Sequence, residues 1–259
     1  MIKQIAKKFI HYFWILSGYL GRNVASTATQ KLTVLITYYN PVRMRHANHQ
    51  IRNLLKCNFV ERVIVSNHNP QVKLEDFVKV SNTRLSVVNQ DIRHGCGYRW
   101  LVASQFSPEY LIVMDDDILL FPGQVKKLFM SLLLEPDIPH GFAGMVQQSN
   151  GALDYYQKSD RSVDYLCEIY AITGTMLKQY VDLKDRIQTS PELARSIEST
   201  ADFVIISRTG RLKPKIHYAG HLLRCPTFNR AGVAVHKERA FLEDVHAVTH
   251  ALDHIRVQN

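Results

Sequence analysis

The sequence has few cysteines, and their spacing excludes two common kinds of cysteine site. Cys57, Cys96, Cys167 and Cys225 are the only four in 259 residues, and no two stand close enough for a CxxC metal knuckle. Four cysteines are also too few for the disulfide framework of a small secreted domain. We therefore expect buried thiols or at most one or two bridges, which leaves the cellular compartment open.

Glycine and proline are scarce, at 12 and 9 residues, and no apolar run reaches the roughly 18 residues of a transmembrane helix. With 46% hydrophobic and 21% charged residues, the composition excludes collagen-like and disordered chains and predicts a globular fold. Acidic residues are the minority charge, because 23 Asp and Glu face 32 Lys and Arg, for a net charge of +9. This balance favours an anionic partner: nucleic acid, a phospholipid surface or a phosphorylated substrate.

Residues 1–31 are predicted to form an amphipathic helix followed by a polar linker. Apolar residues recur at helical spacing, at Ile2, Ile5, Ala6, Phe9, Ile10, Phe13, Leu16 and Leu20. Lys3, Lys7, His11 and Arg22 fall on the other side. The pattern favours peripheral contact of residues 1–22 with an anionic membrane, with Trp14 and Tyr19 near the headgroups. A signal peptide, a short anchor and packing on the domain are the alternatives. His11 inside the apolar run and a weak cleavage site count against secretion, so the cytoplasmic face of a membrane is favoured over the secretory lumen.

Four apolar, β-branched runs follow at regular intervals, at residues 32–39, 62–66, 85–88 and 110–114. Helix-compatible stretches separate them, at residues 42–57, 73–78 and 98–106. Continuous apolar strands that alternate with helices predict an α/β fold with a parallel, doubly wound sheet. In such sheets the ligand binds at the carboxyl ends of the strands. The polar residues that follow each run are therefore the candidate binding residues.

The segment after the fourth run is the sharpest of these strand ends. Asp115, Asp116 and Asp117 stand between two apolar runs, where three adjacent carboxylates repel one another unless a cation lies among them. Mg²⁺ or Mn²⁺ bound by one or two carboxylates keeps positions free for the oxygens of a diphosphate. The alternative is a solvated acidic turn or a helix N-cap.

Several segments carry a resemblance to a known family. Residues 32–40, LTVLITYYN, look like the first strand of nucleotide-sugar glycosyltransferases of the GT-A fold, and residues 113–117, VMDDD, look like their DxD motif. The pair at 98–99, Gly141-Phe142 and residues 170–175 and 198–206 are similar to segments of the exostosin-like group, retaining transferases that use UDP-N-acetylhexosamines. The resemblance spans about residues 32–240. It implies a Rossmann-like, mostly parallel sheet with DxD after the fourth strand, a nucleotide-binding half at 32–122 and an acceptor half with a basic loop at 123–259.

The resemblance also implies roles for individual residues. Metal ligands for Mn²⁺ or Mg²⁺ would be Asp117, Asp115 and His236. The nucleotide sugar would be bound by Thr37, Tyr39, Asn40, Asn67, Asn69, Arg99, Asp115, Asp116 and Lys237. The last of these belongs to a basic tail, residues 208–239, that would neutralise a diphosphate leaving group. His217 and His221 have the spacing of a zinc pair on a helix, but Gly220 argues against a helix there.

Two carboxylates and one guanidinium are the candidate catalytic groups: Glu198, Asp202 and Arg99. Glu198 and Asp202 are one helical turn apart, which would place both on one face of a helix. A carboxylate there could stabilise a developing oxocarbenium ion, orient the acceptor or act as a base. Ile197 stands where the family carries an aspartate, which leaves retention or inversion open.

Three functions are weighed against these features. A metal-dependent hexosyltransferase, moving an N-acetylhexosamine or hexose from a UDP-sugar to a glycan, glycolipid or polysaccharide, accounts for all of them. A sugar-phosphate nucleotidyltransferase usually has a glycine-rich loop after its first strand, and residues 37–45 contain no glycine. A non-catalytic binder of an anionic surface or nucleic acid leaves the three aspartates unexplained, and no nucleic-acid signature is present. We therefore expect no nucleic-acid partner.

Overall fold

The computed structural model describes residues 2–225, 227–228 and 240–257, with side chains for 9–225, 227–228 and 240–255. The helices are α1 (Ile2–Leu20), α2 (Pro41–Met44), α3 (Ala47–Leu55), α4 (Tyr98–Ser104), α5 (Pro122–Leu134), α6 (Gly174–Ile187), α7 (Pro191–Ser196), α8 (Asp202–Ile206) and α9 (Phe241–Val257). The strands are β1 (Leu32–Tyr38), β2 (Val60–Asn67), β3 (Leu85–Asn89), β4 (Tyr110–Asp115), β5 (Ile118–Leu119), β6 (His140–Gly141), β7 (Ala143–Gln147), β8 (Leu153–Gln157), β9 (Arg161–Ser162), β10 (Tyr165–Cys167), β11 (Ile169–Thr173), β12 (Lys215–Ile216) and β13 (Leu223–Arg224). A 3₁₀ turn spans Leu74–Asp76, and a π-helical turn spans Ile197–Ala201.

The central sheet has the strand order β3-β2-β1-β4-β11-β6-β12-β9. The first four strands in this order are parallel to one another, and β11 runs antiparallel to β4. The prediction of four parallel strands in an α/β fold is therefore confirmed, and the whole sheet is mixed but mostly parallel. The strand order reverses between β1 and β4, which is the position where open α/β sheets bind their ligands.

Both faces of the sheet are buried, as the continuous apolar runs predict. Leu35 of β1 packs into one core with Trp100 and Tyr180, whereas its neighbours Val34 and Ile36 pack into the core on the opposite face. Successive strand side chains point to opposite faces, so each strand contributes to both cores. This burial holds the ends of β1 and β4 in a rigid frame.

The described residues also form two smaller sheets, β10-β7-β8 and the pair β13-β5. The pair matters for the site, because β5 begins directly after the three aspartates. Leu223 pairs with Leu119, and the backbone N–H of Cys225 donates to the carbonyl of Asp117 at 2.8 Å. A segment more than 100 residues away in sequence is thereby fixed beside the triplet.

Two of the predicted helices are shorter than expected. The stretch 42–57 contains two helices, α2 and α3, separated by a turn at 45–46, and the stretch 73–78 contains only the 3₁₀ turn. The side chain of Asn40 accepts a hydrogen bond from the Val42 N–H at 2.9 Å, so it caps α2. All four cysteines are free thiols, and Cys57 and Cys225 are buried.

Helix α1 packs on the domain through the side that carries Trp14. The Trp14 ring is fully buried beside Leu119 and Leu223, and its Nε1–H donates to the carbonyl of Leu120 at 2.9 Å. The prediction that Trp14 lies near lipid headgroups is therefore wrong, because packing against the domain encloses this ring. Among the described helices, none combines the length and apolar character that crossing a membrane requires.

Candidate functional site

The three aspartates lie where β4 ends, at the reversal of strand order. Asp115 is the last residue of β4 and pairs in register with Thr37 of β1. The side chain of Asp115 is 37% exposed, whereas those of Asp116 and Asp117 are 8% and 9% exposed. The triplet is therefore a partly enclosed group of carboxylates with one open member.

Arg43 pairs with two of these aspartates. Its Nη1 is 2.6 Å from Oδ1 of Asp116, and its Nη2 is 2.8 Å from Oδ2 of Asp117. Two residues separate helix α2 from the end of β1, so the helix places this guanidinium near the end of the strand. Sequence reasoning missed Arg43; the available signal was a basic residue one turn into the helix that follows the first strand.

Arg99 links the triplet to a distant carboxylate. Its Nη1 is 2.6 Å from Oδ1 of Asp115, and its Nε is 2.8 Å from Oδ2 of Asp202. Trp100 Nε1–H also donates to Oδ2 of Asp202 at 2.6 Å. The side chains of Arg99 and Asp202 are only 4% and 1% exposed, so this chain of charges is enclosed.

Glu168 and Arg224 form the other wall of the site, and sequence reasoning missed both. The Glu168 carbonyl accepts from the backbone N–H of Asp115 at 2.9 Å, and its carboxylate pairs with Arg224 Nη2 at 2.6 Å. Glu168 has φ +68°, a left-handed conformation that is uncommon for a residue other than glycine. No local sequence pattern marks this residue, because its partners come from β4 and β13.

We call Asp115, Asp116, Asp117, Glu168 and Asp202 the acidic cluster. Among the described residues, three guanidiniums, those of Arg43, Arg99 and Arg224, pair with its five carboxylates, so the carboxylates outnumber the guanidiniums by two. Burial, and then the charges of Asp115 and Asp116, raise the pKa of Asp117 to about 8. Burial also raises the pKa of Asp116 to about 6. In the part of the chain that the structure describes, carboxylates thus outnumber cationic groups in the cluster.

Three buried polar atoms at the ends of β1 and β2 have no hydrogen-bond partner among the described residues. They are Oγ1 of Thr37, Oγ of Ser66 and Nε2 of His68. Thr37 stands between Ser66 and Asp115 in the strand register, so these side chains share one face of the sheet. A buried polar atom without a hydrogen-bond partner lowers the free energy of unfolding by about 1–3 kcal/mol, so a partner for each of these atoms would stabilise the protein. A bound ligand with donors and acceptors would supply one.

Three other residues predicted to bind the nucleotide, Asn40, Asn67 and Asn69, form hydrogen bonds within the protein. Asn67 donates to the carbonyls of Asn69 and Val72, and Asn69 donates to the carbonyl of Tyr39 at 3.1 Å. These amides hold the loop after β2, as Asn40 holds the start of α2. The Tyr39 ring is 41% exposed, with the guanidinium of Arg93 5.1 Å from its centroid. Tyr39 therefore presents an open aromatic surface at the strand ends.

Glu198 and Asp202 both contact the segment 94–100, but their surroundings differ. The side chain of Glu198 is 47% exposed, and its Oε1 is 3.2 Å from Nδ1 of His94. It faces a cleft of about 560 Å³ whose basic lining residues include Arg93 and Arg195. Asp202, in contrast, is enclosed, so only Glu198 is open to a molecule in the cleft. The π-helical turn at 197–201 replaces the regular helix that the spacing predicts.

The donor set suits a hard divalent cation, although the described residues include no group of three His, Cys, Asp or Glu side chains arranged to hold one. Carboxylate oxygens are the ligands that Mg²⁺ and Mn²⁺ prefer, and Mg²⁺ is commonly held by one or two carboxylates together with phosphate oxygens. Asp115 and Asp117 are the two aspartates predicted for this role. His236 and Lys237 lie outside the described residues. His217 is not on a helix with His221; its Nε2 is 2.9 Å from Nδ1 of His140.

Comparison with known proteins places the fold. The sequence matches no protein-family model and no curated protein. A solved structure titled "Crystal structure of GalNAc-T7 with UDP, GalNAc and Mn2+" is similar, with a TM-score of 0.53 and 9% identity. The fold is similar to that of a GT-A glycosyltransferase. The likeness covers 74% of this chain but only 43% of that chain, and at this identity it shows the fold alone. Membership of the exostosin-like group stays a prediction.

Proposed function

We propose that this protein is a metal-dependent glycosyltransferase that transfers a hexose or N-acetylhexosamine from a UDP-sugar to a glycan, glycolipid or polysaccharide acceptor. The observation that carries the proposal is the acidic cluster, which lies at the reversal of strand order and whose five carboxylates pair with only three guanidiniums among the described residues. Such an excess of carboxylates at a ligand-binding edge favours a divalent cation with a diphosphate. The fold similarity to a transferase solved with UDP, GalNAc and Mn²⁺ supports the same class.

Asp115 and Asp117 would hold the Mn²⁺ or Mg²⁺, with His236 as a further candidate ligand. The bound ion would neutralise the charge that develops on a departing diphosphate. Arg43 and Arg99 keep the aspartate side chains in place, through contacts of 2.6–2.8 Å. These two guanidiniums limit the motion of the aspartate side chains, which preorganises the site.

The donor nucleotide would lie across the ends of β1 and β2. The unpartnered atoms of Thr37, Ser66 and His68 support this placement, because a nucleoside carries both hydrogen-bond donors and acceptors. Tyr39 offers an exposed ring at the same edge. We retain Asn40, Asn67 and Asn69 as residues that shape this part of the site, and Asp116 as the carboxylate that anchors Arg43.

The two candidate catalytic acids take different roles in this proposal. Glu198 is exposed toward the cleft beside His94, so it is the carboxylate that can touch substrate and act on the acceptor hydroxyl or the sugar. Asp202 is enclosed and acts through Arg99, which makes it a positioning residue. Arg99 in turn orients Asp115.

A nucleic-acid binder is disfavoured by the same charges. Among the described residues, five carboxylates and three guanidiniums lie at the polar edge of the sheet, and a polyphosphate backbone without a cation would be repelled by the carboxylates. The basic residues around the cleft, Arg93 and Arg195, are few and flank the carboxylate of Glu198.

A thermal-shift experiment on the full chain tests the proposal. UDP, GDP, CDP and ATP are each added with Mn²⁺ or with EDTA. A nucleotide present at about 100 times its Kd adds about 2.7 kcal/mol, which raises the Tm of a protein of this size by roughly 5–10 °C. We expect this shift with UDP and Mn²⁺ and its loss with EDTA.

Two variants sharpen the thermal-shift test. Asp117→Asn should abolish the Mn²⁺-dependent response, because it removes a proposed ligand. Asp137→Asn is the matched control, since Asp137 is 66% exposed and pairs only loosely with Arg211, at 3.6 Å. No response to any nucleotide, with or without Mn²⁺, would refute the proposed function. An equal response in the Asp117 variant would refute the metal assignment.

A further inference from the structure

Helix α1 presents a large apolar surface to solvent. Among residues 9–20 of this helix, whose side chains the structure describes, six large apolar or aromatic side chains are exposed, from 48% for Tyr19 to 80% for Leu20. They are Phe9, Tyr12, Phe13, Leu16, Tyr19 and Leu20. At 3.6 residues per turn they occupy about one third of the helix circumference. Contiguous exposed apolar surface of this kind marks an interaction site.

The opposite side of α1 is firmly attached to the domain, so the apolar face has a defined orientation. Trp14 is buried, and the Ser17 hydroxyl donates to Oδ1 of Asn53 at 2.6 Å. Gly18 lies so close to α3 that a Cβ added there would be 3.1 Å from Nδ2 of Asn53. The exposed face is therefore not a surface left over from a loosely placed helix.

The charge of the surroundings selects the partner. Residues 1–60 contain nine Lys or Arg and no Asp or Glu, whereas residues 61–259 contain 23 of each. The whole net charge of +9 thus belongs to the part of the chain that carries α1. Arg52 and Lys56 lie beside the exposed face: the guanidinium is 4.7 Å from the Tyr19 ring centroid, and Nζ donates to the Tyr19 carbonyl at 3.5 Å. Arg22, also exposed, follows the helix.

We propose that the outward face of α1 inserts into the interface of an anionic phospholipid bilayer. An apolar and aromatic helix face in a segment that contains basic but no acidic residues is the pattern of interfacial helices. A second copy of the chain is the less suitable occupant, because it would bring two positively charged surfaces together. Since Trp14 is bonded to Leu120, three residues after Asp117, attachment of α1 would also fix the orientation of the acidic cluster relative to the bilayer.

Co-sedimentation of the full chain with vesicles tests this inference. We expect binding to vesicles of phosphatidylcholine and phosphatidylglycerol in equal parts, and little binding to pure phosphatidylcholine. Raising the ionic strength from about 0.1 M to about 1 M shortens the Debye length from about 10 Å to about 3 Å and should weaken the binding. Equal binding to both kinds of vesicle, or no binding to either, would overturn the proposal.

Matched triple variants separate the α1 face from general surface hydrophobicity. The test variant combines Phe9→Ser, Leu16→Ser and Leu20→Ser, and it should bind anionic vesicles at least roughly tenfold more weakly, about 1.4 kcal/mol. The control combines Ile92→Ser, Leu134→Ser and Leu212→Ser, whose side chains are 64%, 79% and 66% exposed, and should bind as the parent does. All six side chains are exposed, so both variants should keep the parent Tm.

The result for the test variant can also contradict the proposal. Unchanged vesicle binding by the α1 variant would overturn it. So would a dimer, seen by sedimentation without vesicles, that only the α1 variant loses, because that result would assign the face to a second copy.

Discussion

Replacing Asp202 by asparagine tests whether the buried ion pair between Arg99 and Asp202 stabilises the fold. The carboxylate of Asp202 accepts from Nε of Arg99 at 2.8 Å and from Nε1 of Trp100 at 2.6 Å. Asparagine keeps the shape of the side chain but removes its charge. Arg99 then keeps its pair with Asp115, whose side chain is 37% exposed and therefore screened by water.

The expected loss of stability follows from the burial of both partners. Removing one member of a buried ion pair costs about 3–5 kcal/mol, because the other charge is left in a medium of low dielectric. Arg99 and Asp202 are 4% and 1% exposed, so little of this cost is recovered by solvent. For a chain of this length, 1 kcal/mol moves the Tm by about 2–4 °C, so the Tm should fall by roughly 6–20 °C.

Urea and thermal unfolding of the full chain measure this loss. The matched control is Asp253→Asn, which removes the carboxylate of an Arg–Asp pair that is 3.4 Å long and exposed. Its free energy of unfolding should change by no more than about 0.5 kcal/mol. If Asp202→Asn costs no more than this control, then the buried pair contributes little, and the role of Asp202 in positioning Arg99 is refuted.

Three further predictions concern pH, backbone contact and the attachment of α1. Burial lowers the pKa of His68 from 6.5 to about 4, so the unfolded chain takes up a proton at His68 at a higher pH than the folded protein does. The free energy of unfolding should therefore fall by about 3 kcal/mol from this group as the pH drops from about 6.5 to about 4. Stability measured against pH should therefore fall less steeply in His68→Asn than in the parent, and equal slopes would contradict this. Gly95→Ala should cost more than about 2 kcal/mol in urea unfolding, because its Cβ would be 2.3 Å from the Glu198 carbonyl oxygen, whereas Gly123→Ala, with nothing within 4 Å, should be neutral or slightly stabilising. Trp14→Phe removes the buried indole hydrogen bond and should cost about 1 kcal/mol, with faster amide exchange in α1; unchanged exchange would show that this bond does not attach the helix.

The strands of the nucleotide-binding half could be predicted because each contains a run of mostly apolar consecutive residues. A strand buried on both faces needs a continuous apolar run, and β1, β2 and β4 each contain one, whereas the residues of β3 are half-buried. Polar residues at the carboxyl end of such runs are expected at the ends of the strands, so the sequence predicts Thr37 and Asp115 at one edge of the sheet. The boundaries of α2 and α3 were less predictable, because the turn between them has no proline or glycine.

The partners of the aspartates could not be predicted. Arg43 belongs to a four-residue helix, and Arg224 to a two-residue strand, neither of which has a periodic pattern long enough to detect. Glu168 adopts a left-handed backbone conformation, which no feature of the sequence predicts for this residue. The different roles of Glu198 and Asp202 also depend on burial, since both are carboxylates close together in sequence.

By itself the sequence determined the α/β class, the edge of the sheet that carries polar residues and the excess of aspartate there, because these depend on the order and spacing of residues along one strand at a time. The tertiary structure alone decided which guanidiniums neutralise which carboxylates and which acid is open to the cleft. It also decided which face of α1 remains exposed. The helical pattern is compatible with Trp14 facing either lipid or protein, and in the structure its indole N–H donates a buried hydrogen bond to the Leu120 carbonyl. These outcomes depend on desolvation and on contacts between distant segments, and neither is a property of local sequence.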